Sequence, residues 1–287
     1  MILIADSGST KCNWALCNPS GKIESIYSTV GFNPKFNSYK DIFNELSNSE
    51  LINIKNNVQE VYFYGAGCSS KKRNSILEKP LQNFFENSEI IVRHDLEAAL
   101  KATYRESPLI CCILGTGSNS CFYNGREIVE NAPSLGYIAG DEASGNFFGK
   151  KLINLYVNKM MDESLVKRFE HWTDERKEDI IDNIYSSKRP NLYLASFFPF
   201  LYENRHEIVF EKIILSGIQE FFDLHIKCFK NYHQHPISFV GSVAFYLSDY
   251  LEIIAEKEKC KISEIIQSPI NNLVKNHFSV LTKKPHQ

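Results

Sequence analysis

Ile2-Leu3-Ile4-Ala5, then Asp6-Ser7-Gly8-Ser9-Thr10-Lys11, then Asn13-Trp14-Ala15-Leu16 open the chain, turn at Asn18-Pro19-Ser20-Gly21 and continue as Ile23 to Val30. Roughly a hundred residues later the pattern returns as Leu109 to Leu114, Gly115-Thr116-Gly117-Ser118-Asn119 and Ser120-Cys121-Phe122-Tyr123, followed by a turn at Asn124-Gly125 and Glu127 to Val129. Both stretches read as strand, small polar turn, strand, turn, strand, and Asn-Gly between apolar runs is a strong hairpin signal. A unit that occurs only twice points to two related lobes and not to a solenoid.

The chain between and after these units alternates. Ser38 to Ile54, Lys72 to Phe85 and Leu96 to Tyr104 read as helices, and Val58 to Tyr64 and Ile90 to Arg93 as strands. Ser107-Pro108 marks the expected boundary between a first lobe, 1–107, and a second, 108–287. Asp141 to Met161 reads as one helix, and 163–232 as mostly helical with a break near Arg189-Pro190. A strand at Ile237 to Val240 and helices at Ser242 to Glu256 and Pro269 to Phe278 complete the pattern. The expected fold class is α/β, with mixed sheets, covering helices and a helix-rich second lobe.

The two turns carry the chemistry. Consecutive small residues let backbone N–H groups converge on one concavity, which suits phosphate oxygens. In the first turn the hydroxyls of Ser7, Ser9 and Thr10 add donors beside Gly8, and Lys11 adds charge. Asp6 at the strand end is a candidate for Mg²⁺, held through water. The Gly-x-x-x-x-Gly-Lys-Ser/Thr spacing of a P-loop is absent. Gly115, Thr116, Gly117 and Ser118 repeat the same logic, and two such turns suit a triphosphate. The plain alternative for each is a tight β-turn with incidental hydroxyls.

Three further positions stand out. Asp95 follows the strand Ile90 to Arg93 and opens a helix; it is either an N-cap or the base that takes a proton from a substrate hydroxyl. Gly140-Asp141-Glu142-Ala143-Ser144-Gly145 precedes a helix, where acidic residues complement the dipole or serve substrate hydroxyls and Mg²⁺. Gly241-Ser242 lies between a strand and a helix, where glycine lets a ligand approach the backbone.

Composition excludes other classes. A formal net charge of −2 with scattered Lys and Arg leaves no basic footprint for nucleic acid. The longest apolar runs, such as Leu109 to Leu114, are too short to span a bilayer. Met1 to Ala5 meets Asp6 with no basic region before it, unlike a secretory signal, so the expected compartment is the cytoplasm. The eight cysteines show no C-x-x-C pair and are read as buried, reduced thiols.

Ile4-Ala5-Asp6-Ser7-Gly8-Ser9-Thr10-Lys11, Ile113-Leu114-Gly115-Thr116-Gly117-Ser118-Asn119, Gly140-Asp141-Glu142 and Phe239-Val240-Gly241-Ser242 occur in the order found in the actin/hexokinase/Hsp70-like ATPase superfamily. Over nearly its whole length the chain resembles the BadF/BadG/BcrA/BcrD-type ATPase family, in particular its N-acetylglucosamine kinase-like members. The resemblance implies a duplicated ribonuclease-H-like motif with ATP in the cleft. It implies phosphate contacts along Asp6 to Lys11 and Gly115 to Asn119, and an adenosine contact at Gly241 and Ser242. For the sugar it implies Asn33, Gly67, Asp95 as base, Asp141 and Ser144. It lets the final helix, 269–280, pack back on the first lobe, and homodimers are a habit of the family. The sequence departs from the family at Cys12, where Thr is common, at Ala143, where Gly is usual, and at Ser242, where a second Gly is frequent.

The expected activity is transfer of the γ-phosphate of ATP, with Mg²⁺, to the 6-hydroxyl of an amino sugar, N-acetylglucosamine foremost. Two alternatives accompany it. One is an ATPase activator of a 2-hydroxyacyl-CoA dehydratase, which needs two cysteines per subunit for a shared [4Fe–4S] cluster; Cys68, Cys228 and Cys260 are available by number. The other is a nucleotide- or sugar-binding regulator without turnover.

Overall fold

Near-continuous apolar runs, hard to distinguish by periodicity alone, become central strands buried on both faces. In the computed structural model, which describes residues 1–282, the run at the start of the chain is Ile2–Ser7 (β1). Leu3 and Ala5 enter one apolar cluster and Ile4 enters another. β1 pairs antiparallel with Lys11–Cys17 (β2), which pairs antiparallel with Ile23–Val30 (β3). On its other side β1 pairs parallel with Glu60–Gly65 (β4), and β4 with Glu89–His94 (β5). The sheet order is β3-β2-β1-β4-β5. Helices Tyr39–Asn48 (α1), Lys71–Phe84 (α2) and Asp95–Thr103 (α3) complete this part. A capping box between Ser38 and Asp41 starts α1. Trp14 centres the core, its rings against Phe32, Phe63 and Phe85, and its indole N–H donates to Thr29 Oγ1 at 3.0 Å.

The second set of strands repeats this plan. Leu109–Leu114 (β6), Ser118–Tyr123 (β7) and Ile128–Asn131 (β8) form the antiparallel part. Ile237–Val240 (β9) and Ile262–Ile266 (β10) add in parallel, giving the order β10-β9-β6-β7-β8. What separates the two plans is the stretch between the third and fourth strands. In the first it holds α1 and two short 3₁₀ turns; in the second it holds seven α-helices. These are Gly136–Ala139 (α4), Gly145–Val157 (α5), Glu163–Thr173 (α6), Lys177–Ser186 (α7), Pro190–Ala195 (α8), Phe198–Glu203 (α9) and Ile208–Phe221 (α10). Ser242–Tyr246 (α11) and Ser248–Lys257 (α12) follow β9, and Ile270–Thr282 (α13) comes last.

The chain divides into two compact units, Met1–Arg105 with the segment from Ser268 onward, and Glu106–Gln267. α13 belongs to the first, where Ile270, Leu273 and Val274 pack with Ile4, Ala15, Tyr64 and Ala98. The fold class is therefore α/β with two mixed five-stranded sheets, as the doubled hairpin unit implies. No helix among the described residues is long and apolar enough to cross a membrane.

Three element expectations are corrected. The helix read from Asp141 begins only at Gly145, because Asp141 and Ala143 take left-handed backbone angles and Ser144 caps the first turn. Ser242 to Glu256 is two helices, divided at Leu247, whose backbone leaves the helical region. β10 is not legible locally because Ile262–Ile266 is short and mixes Ser and Glu into its apolar residues; pairing to β9 supplies what local pattern does not.

Candidate functional site

In the first unit the strand register gathers the predicted residues at one edge of the sheet. Asp6 of β1 stands opposite Tyr64 of β4, and Tyr64 opposite Arg93 of β5; one step on, Ser7, Gly65 and His94 are aligned. The carboxyl ends of β1, β4 and β5 thus present Asp6, the Gly65–Gly67 turn and Asp95 together, the place where open α/β sheets collect ligands. The turn from Gly8 to Thr10 is largely exposed, as is Lys11. Its shape is set by close backbone packing. Gly31 N–H donates to Thr10 O at 3.0 Å, and a Cβ at Gly31 would lie 2.1 Å from Gly8 O and 2.8 Å from Ser9 O. Only glycine fits there. Asn33 is buried; its Oδ1 accepts Lys35 N–H at 2.9 Å and sits against Gly67, whose φ of +79° brings its Cα face to Asn33.

Asp95 begins α3. Its Oδ1 accepts Leu96 N–H at 2.9 Å and lies 2.9 Å from His94 Nδ1, while Oδ2 makes no hydrogen bond among the described residues. Burial opposes charge on His94, but the Asp95 carboxylate, through its charge and hydrogen bond, outweighs it and raises the imidazole pKa. Asp6 is pushed up to about 7, first by desolvation and then by the nearby Asp95 charge. A carboxylate held toward its neutral form beside a second carboxylate suits a divalent cation and its waters.

In the second unit the Gly115–Gly117 turn is braced by side chains. Asp141 Oδ2 accepts Asn146 Nδ2–H at 2.7 Å, and the Ser118 N–H donates to the same carboxylate. Asn146 Nδ2 also donates to Thr116 O at 2.6 Å; its backbone N–H reaches that oxygen at 3.1 Å, and Gly145 N–H reaches Gly115 O at 2.8 Å. Burial raises the Asp141 pKa against the opposing effect of these bonds. Gly241, with φ of +126°, lies so close to this turn that a Cβ would stand 2.2 Å from Leu114 O. The two predicted motifs of this unit, Gly115–Ser118 and Gly241-Ser242, are therefore neighbours.

Two expectations change. Ser7 was expected to offer its hydroxyl to phosphate. It is fully buried; Oγ accepts Phe32 N–H at 2.9 Å, tying β1 to the loop after β3. Ser144 was expected to touch substrate. It is also fully buried and accepts Phe147 N–H as the cap of α5. Both are bracing residues in this structure. Sequence reasoning missed Gly31, His94, Asn146, Lys150 and His225. The signal for Gly31 was its place beside Phe32-Asn33; for Asn146, its place in the first turn of a helix after an acidic loop. Lys150, its Nζ bonded to Tyr137 O, faces Asp141 and Glu142, and desolvation lowers its pKa against their pull. Of the cysteines, Cys68 is buried in the first unit, while Cys228 is exposed and Cys260 half-buried in the second; none of the eight forms a disulfide among the described residues.

No protein-family model matches the chain. Nor does any curated protein. Solved structures do. A candidate N-acetylglucosamine kinase from Porphyromonas gingivalis is 33% identical, with a TM-score of 0.90 over 97% of this chain and 99% of that one. A second candidate N-acetylglucosamine kinase, from Chromobacterium violaceum, is 13% identical, with a TM-score of 0.73 over 96% and 98%. A ROK family glucokinase from Streptomyces griseus, solved with glucose and AMPPNP, is 14% identical, with a TM-score of 0.55 over 96% and 97%. The latter two share the fold. The first, with the ordered motifs and the duplicated sheet, establishes kinship: the chain belongs to the N-acetylglucosamine kinase-like members of the BadF/BadG-type ATPase family, ATP-dependent phosphotransferases of the actin/hexokinase/Hsp70 superfamily.

Proposed function

We propose that this protein transfers the γ-phosphate of ATP to the 6-hydroxyl of an amino sugar, with N-acetylglucosamine as the acceptor. The observation that carries the reading is the meeting of Asp6, the Gly65–Gly67 turn and Asp95 at one sheet edge, with Asp95 Oδ2 making no hydrogen bond among the described residues. The likeness to the P. gingivalis protein supports the choice of sugar.

In this reading Gly8, Ser9, Thr10 and Lys11, and Gly115, Thr116, Gly117 and Ser118, receive phosphate oxygens. Gly241 and Ser242 flank the adenosine. Asn33, Gly67 and Asp141 serve the sugar. Asp95 Oδ2 accepts the proton of the 6-hydroxyl as its oxygen bonds to the γ-phosphorus and the bond to the β-phosphate oxygen breaks, releasing ADP. Asp6 would hold Mg²⁺ through water, and the ion would neutralise phosphate charge. Most of the rate would come from alignment and from donors fixed in advance. The setting is cytoplasmic, where ATP is supplied.

A coupled ADP-release assay across amino sugars and plain hexoses tests this. Release that depends on acceptor, and is fastest with N-acetylglucosamine, is expected. Release with no acceptor dependence would overturn it, and faster turnover of plain hexoses would overturn the choice of sugar.

A further inference from the structure

The loop before α5 is held in an unfavourable shape by a buried pair that the proposed reaction does not use. Asp141 and Ala143 have φ of 60° and 55°, a region that residues with a Cβ resist. Glu142 lies between them and points inward. Its Oε2 is 2.8 Å from His225 Nε2, and the two residues are 7% and 3% exposed. Of the described groups near the pair, Lys150 and Asp141 are the other charges that Glu142 meets on its own side.

His225 sits where helix geometry is broken. The turn Phe222–Ile226 that follows α10 is a π-helical turn, a feature that re-aims side chains. The imidazole stacks on Phe221, with centroids 4.7 Å apart and planes at 11°. The His225 carbonyl accepts Ser120 Oγ–H from β7 at 2.6 Å. His225 Nδ1 has no partner among the described residues, so the Glu142 carboxylate is its ring's one polar anchor there. The pair thus ties the loop to the end of α10 and to β7. The same loop carries Asp141 and leads into Gly145 and Asn146 at the start of α5, and the bonds of these three residues shape the Gly115–Ser118 turn.

We infer that His225, acting through Glu142, is a positioning residue that locks the Asp141–Ser144 loop and so fixes the Gly115–Ser118 turn in its phosphate-receiving form. The inference rests on the reading of that turn as a nucleotide-phosphate site.

The test uses the full chain with both partners replaced, Glu142→Leu and His225→Leu. Replacing a buried pair by apolar residues leaves no unpaired charge, so the fold is expected to survive. Amide hydrogen exchange is read at Ser118, Gly145 and Asn146 relative to Ile110 and Cys112 in β6. We expect exchange at the first three to rise about tenfold against the β6 reference, and ADP affinity by calorimetry to fall about tenfold. A variant that is merely less stable would change all five amides together and leave ADP affinity intact. That outcome, or ADP affinity within about twofold of wild type, would overturn the inference. Wild type that binds no ADP would instead sink the phosphate reading, and the exchange ratio would still judge the latch. Should the double variant not fold, Glu142→Gln, which keeps size and loses charge, takes its place. The same two readouts then shift in the same direction by about threefold, and no shift would overturn the inference.

Discussion

The turn after β1 and the turn after β6 occupy the same position in the same five-strand plan, yet they are held by different means. Backbone against backbone supports the first. Gly31 packs on Gly8 and Ser9, and Ser7 ties β1 to Phe32 through its hydroxyl. Side chains support the second: Asp141 and Asn146 grip Thr116 and Ser118, and Glu142 and His225 grip the loop that carries Asp141 and leads into Asn146. The difference follows from the connections. The first turn is crossed at once by the chain leaving β3, so a glycine suffices. The second is supported from a long helical insertion, and side chains must span the gap.

That contrast gives different ways to damage each turn. The largest expected effect is at Gly31. Gly31→Ala places a Cβ 2.1 Å from Gly8 O, and backbone must move. We expect a loss of about 3 kcal/mol in a denaturant melt, together with weaker ADP binding. Wild-type values would show that the backbone brace is slack. Asn146→Ala should cost less, about 1 kcal/mol, because two bonds from Nδ2 are lost but a buried Oδ1 without a partner goes too. Its larger signature is a raised KM for ATP; an ATP KM at the wild-type value would argue against a brace of the Gly115–Ser118 turn.

The acids at the two turns are both pushed toward the neutral form, and pH separates them from ordinary carboxylates. Asp6 is raised from 3.8 to about 7, so between those values the folded state keeps a proton that the unfolded state gives up. Stability of the free protein therefore falls as pH rises through that window and levels off above it. Asp6→Asn should flatten this slope in thermal melts taken across the window. A slope unchanged by the substitution would place its origin elsewhere. The smallest effect is at Ala143. Ala143→Gly removes a Cβ from a left-handed position, and we expect a gain of about 0.5 kcal/mol after the entropy cost of glycine. A loss would mean that the loop is not strained at that residue.

Much of this arrangement was legible in local pattern. The doubled hairpin unit led to both sheets, because Asn-Gly and the alternation about it are short-range signals. Asp95 could be placed at a strand end from the apolar run before it. The braces were not legible. Gly31 contacts Gly8 across more than twenty residues, and His225 meets Glu142 across eighty-three, so neither has a local signature. Ser7 and Ser144 are ambiguous for the same reason. A small hydroxyl residue in a turn can face a ligand or its own backbone, and only the packed loop decides which.

Asp95→Asn tests the central claim most directly. It keeps the size of the side chain and its bond to Leu96 N–H but removes the carboxylate proposed to accept the sugar proton. We predict that ADP release dependent on N-acetylglucosamine falls by about 10²–10⁴-fold, while ADP and sugar still bind with wild-type affinity. Sugar phosphorylation at the wild-type rate by this variant would contradict the assignment of Asp95 as the base.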